Sequence, residues 1–436
     1  MNAKLKVEYR LIESVKPYEG NARKHSRKQT SLVSRSIGEY GFIVPIVIDG
    51  DDTIIAGHCR YEAAKQIGLE VIPVIQTKHL SEAQVRAYRL ADNKLALEAD
   101  WDDDLLRVEL EFLSSIEIDF DLSLTGFSVT ETDLILDADE PLPEDEFVPI
   151  IPPGEDVIVI QGDVWLLDNH HISCGDCRDP EMIDQLMKEV RATMVLTDPP
   201  YNVPIDGHVS GLGKNQHSEF AMASGEMTPK EFSEFLRDSL AQAARVSVDG
   251  SLHYVFIDWR GLPALNTAAL FVYDRTLNLI VWAKTNAGMG SLYRSQHELI
   301  LVFKKGSAQH QNNVELGRNG RYRTNVWRYA GANSFGAERD ESLAMHPTVK
   351  PVQMLADAIL DVTRRGDTVF DGFLGSGSTL MACEQTSRVC YGMEIDPAYI
   401  QVIIRRWEKA TGKEAVRESD GLTFQQALDR HAAEEA

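Results

Sequence analysis

Short apolar runs recur through the later part of the chain, at 157–160, 164–167, 194–198, 252–257, 278–283, 298–303, 368–371 and 389–394, with helix-like stretches between them. Runs without a polar alternate face need cover on both sides, and intervening helices supply it in a doubly wound, mainly parallel sheet. Ligands of such sheets sit at the carboxyl ends of the strands, so the residues that follow each run are the first candidates for chemistry. Ahead of this region, 137–154 carries five prolines among clustered acids. That composition prevents regular structure, and a linker is expected over 137–156. Residues 1–136 read as a smaller α/β unit, with strand-like runs at 40–49, 53–60 and 70–75. It includes an acidic helical extension, with helices over 102–115 and 130–137, the second capped by Thr130. The main α/β region is expected to span 157–416, and 417–436 to form a polar tail, helical or frayed.

The formal net charge of −23 argues at first against a polyanionic partner. Its distribution reverses that impression, because residues 98–146 hold 18 acidic side chains against one basic one, Arg107. Residues 1–36 carry nine Lys or Arg against three Glu, and 284–328 carry eight against two, so either stretch can face phosphates. The five cysteines do not suggest a disulfide framework, and the start lacks an apolar signal core, which points to the cytoplasm. No apolar run approaches the ~18 residues needed to cross a bilayer, so no membrane partner is expected. Cys174 and Cys177 form a CxxC without a second pair at ligand spacing, and no metal is expected.

The strongest local signal is MetValLeuThrAspProProTyrAsn (194–202), a buried strand that ends in Asp198, Pro199, Pro200 and Tyr201. This set suits an exocyclic aromatic amine, whose lone pair is drawn into the ring and is a poor nucleophile. A carboxylate on Asp198 and the Pro199 carbonyl can accept its two N–H bonds and pull the nitrogen toward tetrahedral geometry, with proline fixing the backbone. Tyr201 offers a face on which a base can stack. The second signal is ThrValPheAspGlyPheLeuGlySerGlySerThrLeu (368–380), a strand, a turn with Gly372, Gly375 and Gly377, and a helix. It is followed by ValCysTyrGlyMetGluIleAspPro (389–397), a strand ending in Glu394, with Asp396 capping a helix that opens on Pro397. An acid at the end of that second strand is placed for ribose hydroxyls. No Walker lysine follows the glycines, so an adenosine cofactor without phosphates fits better than a nucleoside triphosphate.

On these motifs residues 157–416 resemble the S-adenosylmethionine-dependent DNA amino-methyltransferases of the β group, in which the target-base motif precedes the cofactor motif. AspProProTyr at 198 precedes AspGlyPheLeuGlySerGly at 371, and HisProThrValLysPro (346–351) stands just before the latter. The resemblance implies a class I methyltransferase doubly wound sheet with circularly permuted motif order. It implies a cofactor pocket formed by Asp371, Gly372, Phe373, Gly375, Ser376, Gly377, Ser378 and Thr379, with Glu394 on the ribose. His346, Thr348 and Lys350 would lie at the methionine end, and Asp176 near the adenine. Residues 207–227 would form a mobile loop over the site. The basic 304–335 stretch would be the target-recognition region, with Arg318, Arg321, Arg323 and Arg328 on DNA.

Residues 1–136 resemble the ParB-like nuclease domain family, best seen in GlyPheIleValProIle (41–46) and IleAlaGlyHisCysArgTyrGluAlaAlaLys (55–65). Nucleotide-binding members hold phosphates at a helix N-terminus, for which Gly57 and Arg60 are suited, though HisCys stands where those members often carry GluArg. A DNA-contacting or assembly role is favoured for this unit, with a nucleotide there and a homodimer as further partner expectations. The whole chain then reads as a methyltransferase acting on adenine N6 of a base flipped from double-stranded DNA, within a restriction-modification context. Cytosine C5 chemistry is disfavoured, since no Pro-Cys nucleophile dipeptide is present. Three alternatives stay open: cytosine N4 as the target, a ParB-like DNA-binding regulator with an inactive methyltransferase half, and methylation of RNA or a protein glutamine.

Overall fold

In the computed structural model the chain divides between Leu136 and Asp137 into two compact units. Described are residues 5–95, 101–115, 122–136, 156–203, 225–285, 292–314, 323–330 and 349–435. Unit 1 contains β1 (Val7–Leu11), α1 (Arg27–Tyr40), β2 (Ile46–Ile48), β3 (Ile54–Ala56), α2 (His58–Gln66), β4 (Val71–Gln76), α3 (Glu82–Leu95), α4 (Asp103–Ser115) and α5 (Val129–Leu136). Its sheet has the order β1-β4-β2-β3, parallel only between β2 and β4. Ile46, Ile48, Ile54, Ile72 and Val74 close a core with Tyr61 and Ala64 of α2. The cap of α5 is Ser128 and not Thr130: its hydroxyl accepts from Glu131 N, and the Glu131 carboxylate accepts from Ser128 N. The reciprocal pair satisfies two helix-end donors at once, and Thr130 falls inside the helix, one residue past its start.

Unit 2 runs β5 (Val164–Leu167), β6 (His170–Cys174), α6 (Pro180–Met187), β7 (Ala192–Thr197), α7 (Pro229–Arg245), β8 (Ser247–Ile257), α8 (Leu262–Ala269), β9 (Arg275–Ala283), β10 (His297–Lys304) and β11 (Val326–Arg328). It continues with α9 (Val352–Val362), β12 (Thr368–Asp371), α10 (Ser378–Gln385), β13 (Val389–Glu394), α11 (Pro397–Thr411), β14 (Val416–Arg417) and α12 (Phe424–Glu435). These strands form one sheet in the order β11-β9-β10-β8-β7-β12-β13-β6-β5-β14. The central five, β8-β7-β12-β13-β6, are parallel to one another, and antiparallel strands extend both flanks. Alternate residues of each central strand enter different cores, as the two-residue strand period requires. Met194 and Leu196 pack with α9, α10 and α11, while Val195 packs on the other face with Ile183 and Leu186 of α6. Val255 and Ile257 of β8 join Phe235, Leu236 and Leu240 of α7, completing the doubly wound arrangement.

Three local readings change. Residues 157–160 are not a strand, and the strand beside β5 is His170–Cys174. The expected tail is part of the domain: β14 pairs with β5, and Phe424 and Ala427 of α12 enter the main core. Phe424 lies edge-on to Trp165 at 5.7 Å, which anchors a segment whose overall polarity hides its few apolar contacts. Among the described residues no helix is long and apolar enough to cross a membrane.

The sheet also fixes where a site can form. From β7 the chain proceeds to β8 on one side, and from β12 to β13 on the other, while β7 and β12 are neighbours. This is the reversal point of the strand order, where a crevice opens at the carboxyl ends of the strands. Asp198 follows β7 there, and Gly372 follows β12.

Candidate active site

One cavity is lined jointly by the residues after β6, β7, β12 and β13. Its walls include Asp176, Asp198, Pro199, Pro200, Tyr201, Glu298, Lys350, Asp371, Gly372, Phe373, Gly375, Ser376, Ser378, Thr379, Glu394, Asp396 and Tyr399. The two motifs, whose Asp198 and Asp371 stand 173 positions apart, thus share one space because their strands are neighbours. Across the seam Asp371 accepts from Thr197 Oγ1 at 2.8 Å, from Thr379 Oγ1 at 2.7 Å and from Phe373 N at 3.0 Å. Its side chain therefore ties β7, β12 and α10 together. Burial pushes its pKa up to about 6.

Gly377 caps α10 with φ +83°, a left-handed backbone that side chains with a Cβ rarely adopt. A Cβ there would also come within 3.0 Å of Ile403, so the position demands glycine on two counts. Glu394 receives hydrogen bonds from Gly375 N at 2.9 Å and Asp396 N at 3.0 Å, which aims the carboxylate at the glycine turn. Burial pushes its pKa up to about 7. Asp176 is gripped by the Arg178 guanidinium, whose Nη2 lies 2.6 Å from Oδ2. Burial opposes its charge, but the Arg178 contacts hold its pKa below the ordinary value. Cys177 and Cys174 are buried, and burial raises both thiols.

On the target side both oxygens of Asp198 are engaged. Tyr201 Oη donates to Oδ1 at 2.6 Å, and Lys350 Nζ donates to Oδ2 at 2.5 Å. Burial raises Asp198, and the neighbouring Glu298 charge adds to that effect against the pull of Lys350. Glu298 and Lys284 are the residues sequence reasoning missed. Glu298 accepts from Lys284 Nζ at 2.5 Å, and its Oε2 lies 3.1 Å from Tyr201 Oη, whose single proton serves the closer Asp198. Their only sequence signal is a charged residue at the mouth of an apolar strand, which is common. Asn202, with φ +56°, clamps the chain beyond the motif through Gly225 N, Met227 N and Met227 O.

The recognition residues separate. Arg323 is turned into the fold: Nε lies 3.0 Å from Asp361 Oδ2, Nη1 donates to Tyr329 Oη at 2.7 Å, and the guanidinium lies over Trp327. Its side chain is 17% exposed and ties the approach to β11 to Asp357 and Asp361 of α9. Arg328 on β11 is exposed. Arg318, Arg321, His346, Thr348 and most of the loop expected at 207–227 lie outside the described residues.

The donor set fits S-adenosylmethionine. Asp176, Asp198, Glu298, Glu394 and Asp396 around one cavity repel phosphates but suit a hydroxyl-bearing, cationic adenosine. Glu394 and the backbone around Gly375 would hold the adenosine side, and Asp176 a further donor.

Comparison with known proteins matches the chain to three family models and to several relatives. Residues 192–405 match the DNA methylase family of the N6_N4 type, 104–159 the ParB-methyltransferase HTH domain, and 4–94 the ParB N-terminal domain. The ParB-like nuclease domain-containing protein YnaK of Escherichia coli (strain K12) is 39% identical over 84 residues, 19% of this chain and 97% of its own length. Type II methyltransferase M2.DpnII of Streptococcus pneumoniae is 26% identical over 238 residues, 51% of this chain and 84% of its own. The solved M1.HpyAVI-SAM complex is 22% identical, covering 54% of this chain and 97% of that one, with a TM-score of 0.40. With the strand-end acid, the glycine turn and the AspProProTyr motif in one cavity, the chain is an S-adenosylmethionine-dependent DNA methyltransferase in which a DNA methylase domain of the N6_N4 type is joined to a ParB N-terminal domain.

Proposed function

We propose that the target is the N6 amine of adenine, taken out of the stack of double-stranded DNA. The observation that carries this reading is the placement of Asp198 and Tyr201 in the same cavity as the Gly375 to Glu394 wall. A base must leave the duplex to reach a carboxylate at the bottom of a strand-end crevice. S-adenosylmethionine supplies an activated methyl group on its sulfonium. The chain's own residues then prepare the nucleophile: Asp198 and the Pro199 carbonyl accept the amine's N–H bonds, and Tyr201 packs against the base. Asp at the head of the motif favours adenine N6 over cytosine N4.

The test is transfer of labelled methyl to unmethylated DNA, digested to nucleosides, with Asp198→Ala beside the wild type. Label in N6-methyladenine, reduced about 10²- to 10³-fold by the substitution, supports the reading. Label in N4-methylcytosine corrects the base, and no label in DNA with cofactor bound rejects the substrate.

A nucleotide at unit 1 is the second part of the proposal. Arg23, Arg86 and Arg89 line a surface cavity with Tyr18, and Arg60 Nε is buried without a hydrogen-bond partner beside the Gly57 turn. Binding of inorganic triphosphate to the full chain, weakened by Arg89→Ala, tests it.

A further inference from the structure

Lys284 directly follows β9 and Glu298 lies at the start of β10, and the antiparallel pairing of these strands brings them together at the site. Glu298 uses its two oxygens in different directions. Oε1 accepts from Lys284 at 2.5 Å, while Oε2 lies 3.1 Å from Tyr201 Oη and 3.2 Å from Lys350 Nζ. Lys350 therefore stands between two carboxylates, 2.5 Å from Asp198 and 3.2 Å from Glu298. Three rings surround its ammonium, those of Phe256 at 5.3 Å, Tyr201 at 5.6 Å and Trp282 at 6.0 Å. Ring faces attract a cation with little directional demand, so they tolerate a small shift of Nζ.

The arrangement poses a problem for chemistry at Asp198. An ammonium adds the attraction of a second full charge to its hydrogen bond, so a neutral aromatic amine competes poorly with it for the same carboxylate. Moving that ammonium to a second carboxylate already within contact leaves the net charge of the buried set unchanged and keeps the ammonium itself paired.

We propose that Glu298 is a positioning residue for methyl transfer: it takes over the Lys350 ammonium as the target amine arrives, so that Asp198 is free to accept the amine's N–H. The inference rests on the reading of Asp198 as the amine's acceptor. Lys284 supports it by keeping Glu298 paired whichever carboxylate Lys350 serves. Burial works against the Glu298 charge, yet Lys350 and Lys284 hold its pKa down to about 2, so the receiving group is ionised at neutral pH.

The experiment is a double-mutant cycle of Glu298→Gln and Lys350→Gln, read by single-turnover methyl transfer to duplex DNA carrying the site that the wild type methylates. Glu298→Gln is expected to slow transfer roughly 10- to 100-fold while the KM for DNA stays within about twofold. Glu298→Asp, which keeps the charge, should retain more activity. In the Lys350→Gln background the same Glu298→Gln change should cost less than about threefold, because no ammonium remains to be moved. A second readout needs no turnover: DNA with 2-aminopurine at the methylated position should brighten equally on binding wild type and Glu298→Gln.

Equal losses in both backgrounds, or a Glu298→Gln enzyme within twofold of wild type, overturn the proposal. Loss of the 2-aminopurine signal or of calorimetric cofactor binding in Glu298→Gln also overturns it, by assigning the residue to base extrusion or to folding. A wild type that labels no DNA instead removes the Asp198 reading itself, an outcome visible without any Glu298 variant.

Discussion

Both units use the same backbone device, a strand followed by a left-handed glycine that opens a helix, yet they surround it with opposite charge. Gly57, with φ +103°, opens α2 after β3, and Gly377, with φ +83°, opens α10 after β12. The first turn stands beside Arg60, and its unit's cavity is lined by Arg23, Arg86 and Arg89. The second shares its cavity with Asp371, Glu394 and Asp396. A helix N-terminus alone attracts anions. In unit 2 the carboxylates oppose that attraction and suit hydroxyl and cationic donors, while in unit 1 the arginines add to it. The glycine turn thus sets how closely a ligand can approach, and the charged side chains brought beside it decide which ligand that is.

The largest expected effect on this contrast is on cofactor affinity. Glu394→Ala should weaken S-adenosylmethionine binding by about two orders of magnitude in calorimetry, since hydrogen bonds to a charged acceptor contribute about 1.5–3 kcal/mol each. Binding of inorganic triphosphate to the same protein should not change, and a parallel loss of both would break the contrast. Next come the glycines themselves. Gly377→Ala and Gly57→Ala each force a left-handed alanine, costing about 1–2 kcal/mol. Gly377→Ala should lower the calorimetric transition of unit 2 by about 2–4 °C and leave that of unit 1 in place, with the reverse for Gly57→Ala. A variant that moves both transitions would show the two units to be energetically coupled.

A pH effect follows from Glu394. Its carboxyl ionises near 4.5 when unfolded and near 7 in the fold, where burial disfavours the charge. Between these values the unfolded chain holds fewer protons, so this group's contribution to stability falls as pH rises. Glu394→Gln removes that dependence, and its melting temperature relative to wild type should climb from about pH 5 to about pH 8. A constant difference across that range would contradict the assignment. The smallest effect concerns salt: raising it from about 50 to about 300 mM should weaken triphosphate binding several-fold and S-adenosylmethionine binding much less.

Legibility in the sequence followed the range of the interactions. Asp198 to Tyr201 and Gly372 to Glu394 stand on contiguous motifs, because a strand end, a turn and a helix cap are built from neighbours in the chain. Glu298 and Lys284 gave no comparable signal, since their meaning comes from strands paired about a hundred residues from Asp198. Arg323 and Arg328 look alike in a basic run, but one meets Asp357 and Asp361 of α9 and the other faces outward. The polar C-terminal segment concealed β14 and the docking of α12 on the core for the same reason, as Phe424 finds its place only against Trp165.

By itself the sequence determined the alternation of strands and helices, the order of the two motifs and the chemistry each can perform, because these depend on local backbone geometry and side-chain type. Only the tertiary structure decided that the motifs face one cavity, that Lys350 lies between two carboxylates, and that Arg323 turns into the fold while Arg328 faces outward. Those outcomes depend on which strands become neighbours, and strand order is set by burial of both faces of the sheet across the whole domain, a sum over distant contacts that no single segment carries.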